Sequence, residues 1–261
     1  MKKLILLTFV IAASFYACQG DNENDQLVNV NLNFRAVYNG EPLVMISGQY
    51  TYPDGKPVKF QTFNFYVSDV VLIGEDGVTE TPLVDIDFID FSENTTPGEA
   101  ARPVTIGVEK INPGTYKGLR IGFGVPAELN NAQANQLEAG HPLRETYSSH
   151  FWSDWGSFIF MKLEGVYDKD GNGFDGNDPG FGHHTGTNAV YRTVLFEQPL
   201  VLNPGESMDL NLVVDARKFY EQNDSFLDFS NPANLYTHNP NDLTIANYIV
   251  DNFANAVLAA W

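Results

Sequence analysis

From Val28 onward every second residue of the mature chain's first stretch is apolar. Val28, Val30, Leu32 and Phe34 alternate with Asn29, Asn31, Asn33 and Arg35. A period of two puts successive side chains on opposite faces of an extended strand, so this pattern fits a half-buried strand and no helix. The same signature recurs at Phe63, Phe65 and Val67, at Leu119, Ile121, Phe123 and Val125, and at Met208, Leu210, Leu212 and Val214. Residues 158–163 are apolar except for Lys162, which predicts a strand covered on both faces; residues 189–196 read as a further strand. Turn chemistry separates the runs, as in Tyr52-Pro53-Asp54-Gly55, where proline and glycine supply the backbone angles that a reversal needs. Helical spacing is scarce. Residues 127–138 suit a short surface helix, and residues 243–261 suit a longer one, with Ile245, Tyr248, Ile249 and Phe253 at helical spacing behind Asn241 and Asp242 as caps. Many short strands with one late helix predict an all-β chain: a single β-sandwich-like domain with a C-terminal helix.

The N-terminus reads differently. Lys2 and Lys3 precede an apolar run from Leu4 to Ala13, and Ala17-Cys18 closes it. That run falls short of the roughly 20 apolar residues that cross a bilayer. A basic flank, an apolar centre and a small residue before the cut site read as a signal peptide over 1–17. Cys18 is the chain's one cysteine, so no internal disulfide can form. Its position fits a lipoprotein signal in which Cys18 becomes the acylated first residue; an ordinary signal peptide beside an incidental cysteine is the alternative reading. Phe15 stands where a lipobox prefers leucine. Residues 18–26 then hold Asp21, Glu23 and Asp25 and no apolar residue after the cysteine, which predicts an acidic tether. The expected location is the outer membrane of a Gram-negative bacterium, facing the periplasm or the cell surface, with lipid as the only anchor. The domain itself is expected over 27–261, enough chain for one well-buried core.

Charge narrows the partners. The formal net charge is −18, and removing residues 1–17 takes away two lysines and no acid. Such a domain repels phosphate backbones and anionic lipid heads, so no nucleic-acid partner is expected. There is no G-x-S-x-G, no phosphate-cradling glycine loop and no H-E-x-x-H, and the expectation is a protein that is not an enzyme.

Two segments could hold ions. In residues 168–178, Asp168, Asp170 and Asn172 fill alternate positions, Gly173 permits a bend at the sixth and Phe174 offers a carbonyl. This is the ligand rhythm of a calcium loop, although the twelfth position is Pro179 rather than a bidentate glutamate. Asp175 or Asp178 could substitute if the loop folds differently. The other reading is a turn rich in Gly, Asn and Asp with no ion. The second segment is the histidine set. All five histidines lie in the second half, at 141, 150, 183, 184 and 238. His150 stands two residues from Trp152, a spacing that shares a face on a strand. His183 and His184 lie in a glycine-rich stretch read as a loop, where both rings could turn toward one point. Neutral imidazole suits copper and zinc; histidines on exposed loops with no metal are the alternative.

Several strings, taken in order, resemble the MbnP-like family. They are Phe65-Tyr66-Val67-Ser68-Asp69-Val70, Pro113-Gly114-Thr115-Tyr116-Lys117-Gly118-Leu119, Gly122-Phe123-Gly124-Val125-Pro126 with Leu129-Asn130, Phe151-Trp152-Ser153 running on to 158–165, and His184-Thr185-Gly186. The resemblance covers most of the chain from about residue 28. It implies a periplasmic or surface copper-binding protein with a β-sandwich fold. It also implies a partner, a di-haem protein related to cytochrome c peroxidases, able to oxidise a tryptophan of the copper protein to kynurenine. Carried over by position, Trp152 matches the family's first tryptophan, His184 the histidine of its H-x-G stretch, and His238 a histidine before the last helix. The family's second tryptophan falls on Asp154, with Trp155 one place later. Its Gly-Tyr pair is Ser157-Phe158 here, the cysteines that often follow H-x-G are lacking, and His150 has no counterpart. The resemblance and the histidine distribution taken together give copper ligands led by His184, then His150 and His238, with His183 beside them and Trp152 as a neighbour or modified ligand.

Overall fold

The computed structural model describes residues Gln26–Trp261. The signal peptide, Cys18 and residues 18–25 of the tether lie outside the described residues.

The protein is mainly β, built from mixed sheets with a short helix near its C-terminus. Val28–Tyr38 forms the middle of the smaller sheet, buried at nearly every second position. It pairs in parallel with Ser207–Asp215 and antiparallel with Val104–Ile111. The larger sheet is organised by Pro57–Gly74, an 18-residue strand. Asn64 pairs with both Asp90 and Lys162, so Glu80–Asp90 and Ser157–Tyr167 flank it on opposite sides. Further along, Gly114–Phe123 continues the side that Ser157–Tyr167 began. Gly180–Gly186 adds outside Ser157–Tyr167.

The inner faces of the sheets share one core. Phe34 of the small sheet meets Phe65 of the large one edge-to-face at 6.3 Å, and Phe123 stacks on Phe253 at 4.1 Å. Burying such aromatic rings stabilises each by about 1.5–3 kcal/mol relative to exposure. The apolar run 158–163 is indeed buried apart from the half-buried Lys162.

Two expectations are corrected. Residues 127–138 give only a single 3-10 turn, Ala134–Gln136. The late helix stops early: Thr244–Asp251 is helical, Phe253–Ala256 adds one turn, and Val257–Ala260 is a strand. That strand pairs with Ser207–Asp215, placing Val257 opposite Val214. A free sheet edge with unpaired backbone groups outcompetes a helical end, and the β-branched Val257 favours the strand. The Asp242 carboxylate accepts from the Thr244 N–H at 3.1 Å, so it does serve the helix start.

Candidate metal centre

Register decides where the histidines go. His183 pairs with Leu163, which pairs with Phe63; His184 pairs with Lys162, which pairs with Asn64. Paired residues share a face, and a one-residue step changes face. His183 therefore points into the core and His184 to the outer side of the sheet. Gly180–Gly186 is a strand and not a loop, so the two rings cannot turn toward one point.

His183 is fully satisfied inside. Its Nε2 lies 2.8 Å from the Asn234 carbonyl, which can only accept, so Nε2 carries the hydrogen. Nδ1 then accepts from the Tyr220 hydroxyl at 3.0 Å. Complete burial pushes its pKa down to about 4. His150 is satisfied too. It ends the short helix Tyr147–His150 rather than sharing a strand with Trp152. Its Nε2 meets Asn64 Oδ1 at 3.0 Å and its Nδ1 the Ser149 hydroxyl at 2.8 Å. Burial first, then the neighbouring Lys162 and His184, pushes its pKa down to about 3. His141 caps another short helix, accepting from the Leu143 N–H.

The outer face beside His184 is where side chains gather. His184 Nε2 lies 2.6 Å from Glu164 Oε1, and Glu164 Oε2 accepts from the Thr62 hydroxyl at 2.8 Å. His184 Nδ1 is buried with no hydrogen-bond partner. The His238 ring lies 4.7 Å from that of His184, centroid to centroid. Trp152 stands edge-on to both, at 5.4 Å from His238 and 6.3 Å from His184. Trp155 stacks on Trp152 at 4.7 Å. Bonding with His184, together with the Thr62 hydroxyl, outweighs partial burial and holds the Glu164 carboxyl down at about 2. His238 is also shifted down, mainly by desolvation and then by His184.

Local backbone chemistry builds this arrangement. The segment carrying His238 lies along the free edge of Gly180–Gly186: the Gly182 N–H donates to the Leu235 carbonyl at 2.8 Å, and the Thr237 N–H donates back to Gly182 at 3.3 Å. The Thr237 hydroxyl accepts from the His184 N–H and donates to the His184 carbonyl, both at 2.7 Å. Residue 238 is thereby locked one position beyond a clamp on residue 184. Gly186 has no room for a side chain: a Cβ would lie 2.7 Å from both the Phe158 carbonyl oxygen and the Trp155 ring. The glycine of His184-Thr185-Gly186 thus makes room for the Trp155 ring, on which Trp152 stacks. His238 also lines a surface cleft of about 310 Å³ with Tyr236, Thr237 and Asp242.

The acidic loop is a separate place. Carboxylate oxygens of Asp168, Asp170 and Asp178 lie within 4.8 Å of one another. The Asn172 side-chain amide donates to Asp170 Oδ2 at 2.9 Å. Asp168 is buried, which raises its pKa, but backbone N–H groups of Gly173 and Gly171, at 2.9 and 2.6 Å, outweigh this and hold it below the usual carboxylate value.

Glu164, Trp155 and Thr237 were not among the residues expected from sequence. The one signal for Glu164 is an acid, two residues after Lys162, inside a strand that is mostly apolar.

A family model described as MbnP matches residues 28–239. Among solved structures, MbnP from Methylosinus trichosporium superposes with a TM-score of 0.51 over 76% of this chain and 78% of its own, at 16% sequence identity. No curated protein matches the sequence.

Proposed function

This chain belongs to the MbnP family, and from that premise we propose that it is an exported, non-catalytic lipoprotein that binds copper through His184 and His238 beside Trp152. The observation that carries the reading is the buried, unpartnered Nδ1 of His184, in a ring whose centroid lies 4.7 Å from that of a second histidine, His238. A buried nitrogen without a partner is costly, by about 1–3 kcal/mol, and a bound ion would satisfy it. The donor set fits the ion: neutral imidazoles suit copper, and neighbouring desolvation keeps His238 shifted toward its neutral form. Copper here would supply a bound redox-active cation; the protein's part is to hold it with His184 and His238 on a β-sandwich-like frame, with Trp152 edge-on beside both rings. His183 and His150 are assigned to packing, because both nitrogens of each ring already have partners.

Titration of the metal-stripped protein with copper against a competing chelator tests this. One equivalent is expected to bind. His184→Ala is expected to weaken it by more than about 100-fold, beyond the cost usual for outer partners of a metal site, while His183→Gln leaves it nearly unchanged. Equal affinity in His184→Ala and the parent would sink the assignment. A di-haem partner related to cytochrome c peroxidases, and modification of Trp152, belong to the same reading. So does lipidation at Cys18, on the outer membrane.

The clustering of Asp168, Asp170 and Asp178 favours a second, independent ion, calcium, as a clamp on that loop. At about 10 mM calcium, a weak extracellular-type site would raise Tm by about 5 °C. The shift is expected to vanish in Asp178→Asn. If calcium binds and copper does not, the protein is a calcium-stabilised recognition module on the same scaffold.

A further inference from the structure

We infer that Glu164 is the positioning residue that fixes His184 as an Nδ1 ligand. The inference rests on the copper reading above and names which nitrogen binds and what selects it. A neutral imidazole has one N–H and one lone pair, and the partner of one nitrogen decides the role of the other. His184 Nε2 lies 2.6 Å from Glu164 Oε1. An ionised carboxylate only accepts, so the hydrogen sits on Nε2 and the lone pair on Nδ1. Nδ1 is the nitrogen that is buried and without a partner. The other tautomer would set two lone pairs against each other across 2.6 Å and leave an N–H pointing at nothing.

The sheet explains why Glu164 can do this. Thr62, Glu164 and Gly182 form one cross-strand row, and Asn64, Lys162 and His184 the next. Gly182, directly opposite Glu164, has no side chain, so the carboxylate is free to reach along the diagonal to His184. The Thr62 hydroxyl holds its other oxygen at 2.8 Å, leaving Oε1 aimed at the ring. The clamp of Thr237 on the His184 backbone fixes the other end. Ring tilt and tautomer are thus both set before any ion arrives, as expected of outer partners that orient metal-binding histidines.

The test pairs a metal-free readout with a metal-bound one. In the stripped protein at about pH 8, where an ordinary imidazole is neutral, ¹⁵N-resolved imidazole spectra should show His184 only as the Nε2–H tautomer. Glu164→Leu should give a mixture of tautomers and lower copper affinity by about 10–100-fold. Glu164→Gln, whose amide oxygen still accepts, should keep the tautomer and lose less affinity. A hydrogen on Nδ1 in the parent overturns the inference. So does Glu164→Leu with unchanged tautomer and affinity, provided its amide spectrum shows the parent fold. A parent that binds no copper at all fails the functional reading instead, and the two failures are told apart by that one arm.

Discussion

Lowering the pH of the metal-free protein from 7 to 5 is expected to cost about 4 kcal/mol of folding stability, well before most carboxylates titrate. The cause is the pair of satisfied histidines, His183 and His150, whose folded pKa values lie at about 4 and about 3. In the unfolded chain both return to about 6.5. A base whose folded pKa is depressed binds fewer protons folded than unfolded below pH 6.5, so stability falls with pH there. The contribution is fully present above about 6.5 and is lost as pH drops toward 4 and 3. At pH 5 each residue contributes a loss of about 2 kcal/mol at 1.36 kcal/mol per pKa unit. Both side chains are almost wholly buried, so solvent screens this little. The carboxylate of Glu164 adds a loss at lower pH, below about 4.5, since its pKa is held down at about 2. Urea titrations at pH 7, 6 and 5 read this directly. A midpoint that stays level to pH 5 would mean that His183 and His150 are not buried as neutral rings. Replacing His183 by Gln, which retains a donor and an acceptor, should flatten about half of the slope.

Asn130→Ala is expected to cost about 3 kcal/mol and to loosen the tryptophan pair. Asn130 is buried and its amide is used at every point. Oδ1 accepts from the Phe158 N–H at 2.7 Å and the Ser157 hydroxyl at 3.2 Å. Nδ2 donates to Ser157 Oγ at 2.9 Å and to Asn188 Oδ1 at 2.8 Å. Ser157 Oγ in turn accepts from the Thr187 N–H at 2.8 Å. One side chain therefore ties three segments: the approach at 130, the start of Ser157–Tyr167 and the end of the His184-Thr185-Gly186 strand. Alanine leaves the buried Phe158 N–H without a partner and strips the buried Ser157 hydroxyl of its bonds to the amide, and an orphaned buried group costs about 1–3 kcal/mol; the exposed Asn188 side-chain oxygen is free to turn to solvent. The Trp155 turn sits between these ties, so altered tryptophan fluorescence in the folded state should accompany the loss. A variant with unchanged denaturation midpoint and unchanged emission would show the network to be dispensable.

The strands were legible because their signal is local. Val28–Phe34 declares its face through alternation alone, and the structure buries it accordingly; Phe63–Val67 is a strand as read, but both of its faces are covered, with Asn64 and Tyr66 buried like their neighbours. The helical periodicity of residues 243–261 holds only as far as Ala256, because the strand Val257–Ala260 depends on an open edge far upstream at Ser207–Asp215. The histidines show the same limit more sharply. That His183 and His184 were special could be read from their neighbours and from the family resemblance. Which one faces the core depends on pairing with Leu163 and Lys162, a fact of register. His238 and Trp152 were named from sequence, but their approach to His184 comes from the edge clamp of Thr237. Glu164 was overlooked because its role appears only once Gly182 is seen to stand across from it.

Anomalous diffraction at the copper edge, on crystals of the metal-stripped protein soaked with one equivalent of copper, tests the central claim most directly. The account predicts a single strong peak at bonding distance, about 2 Å, from His184 Nδ1 and from a ring nitrogen of His238. A peak held by His150, by His183 or by the Asp168–Asp178 loop, or no ordered copper at all, would contradict it.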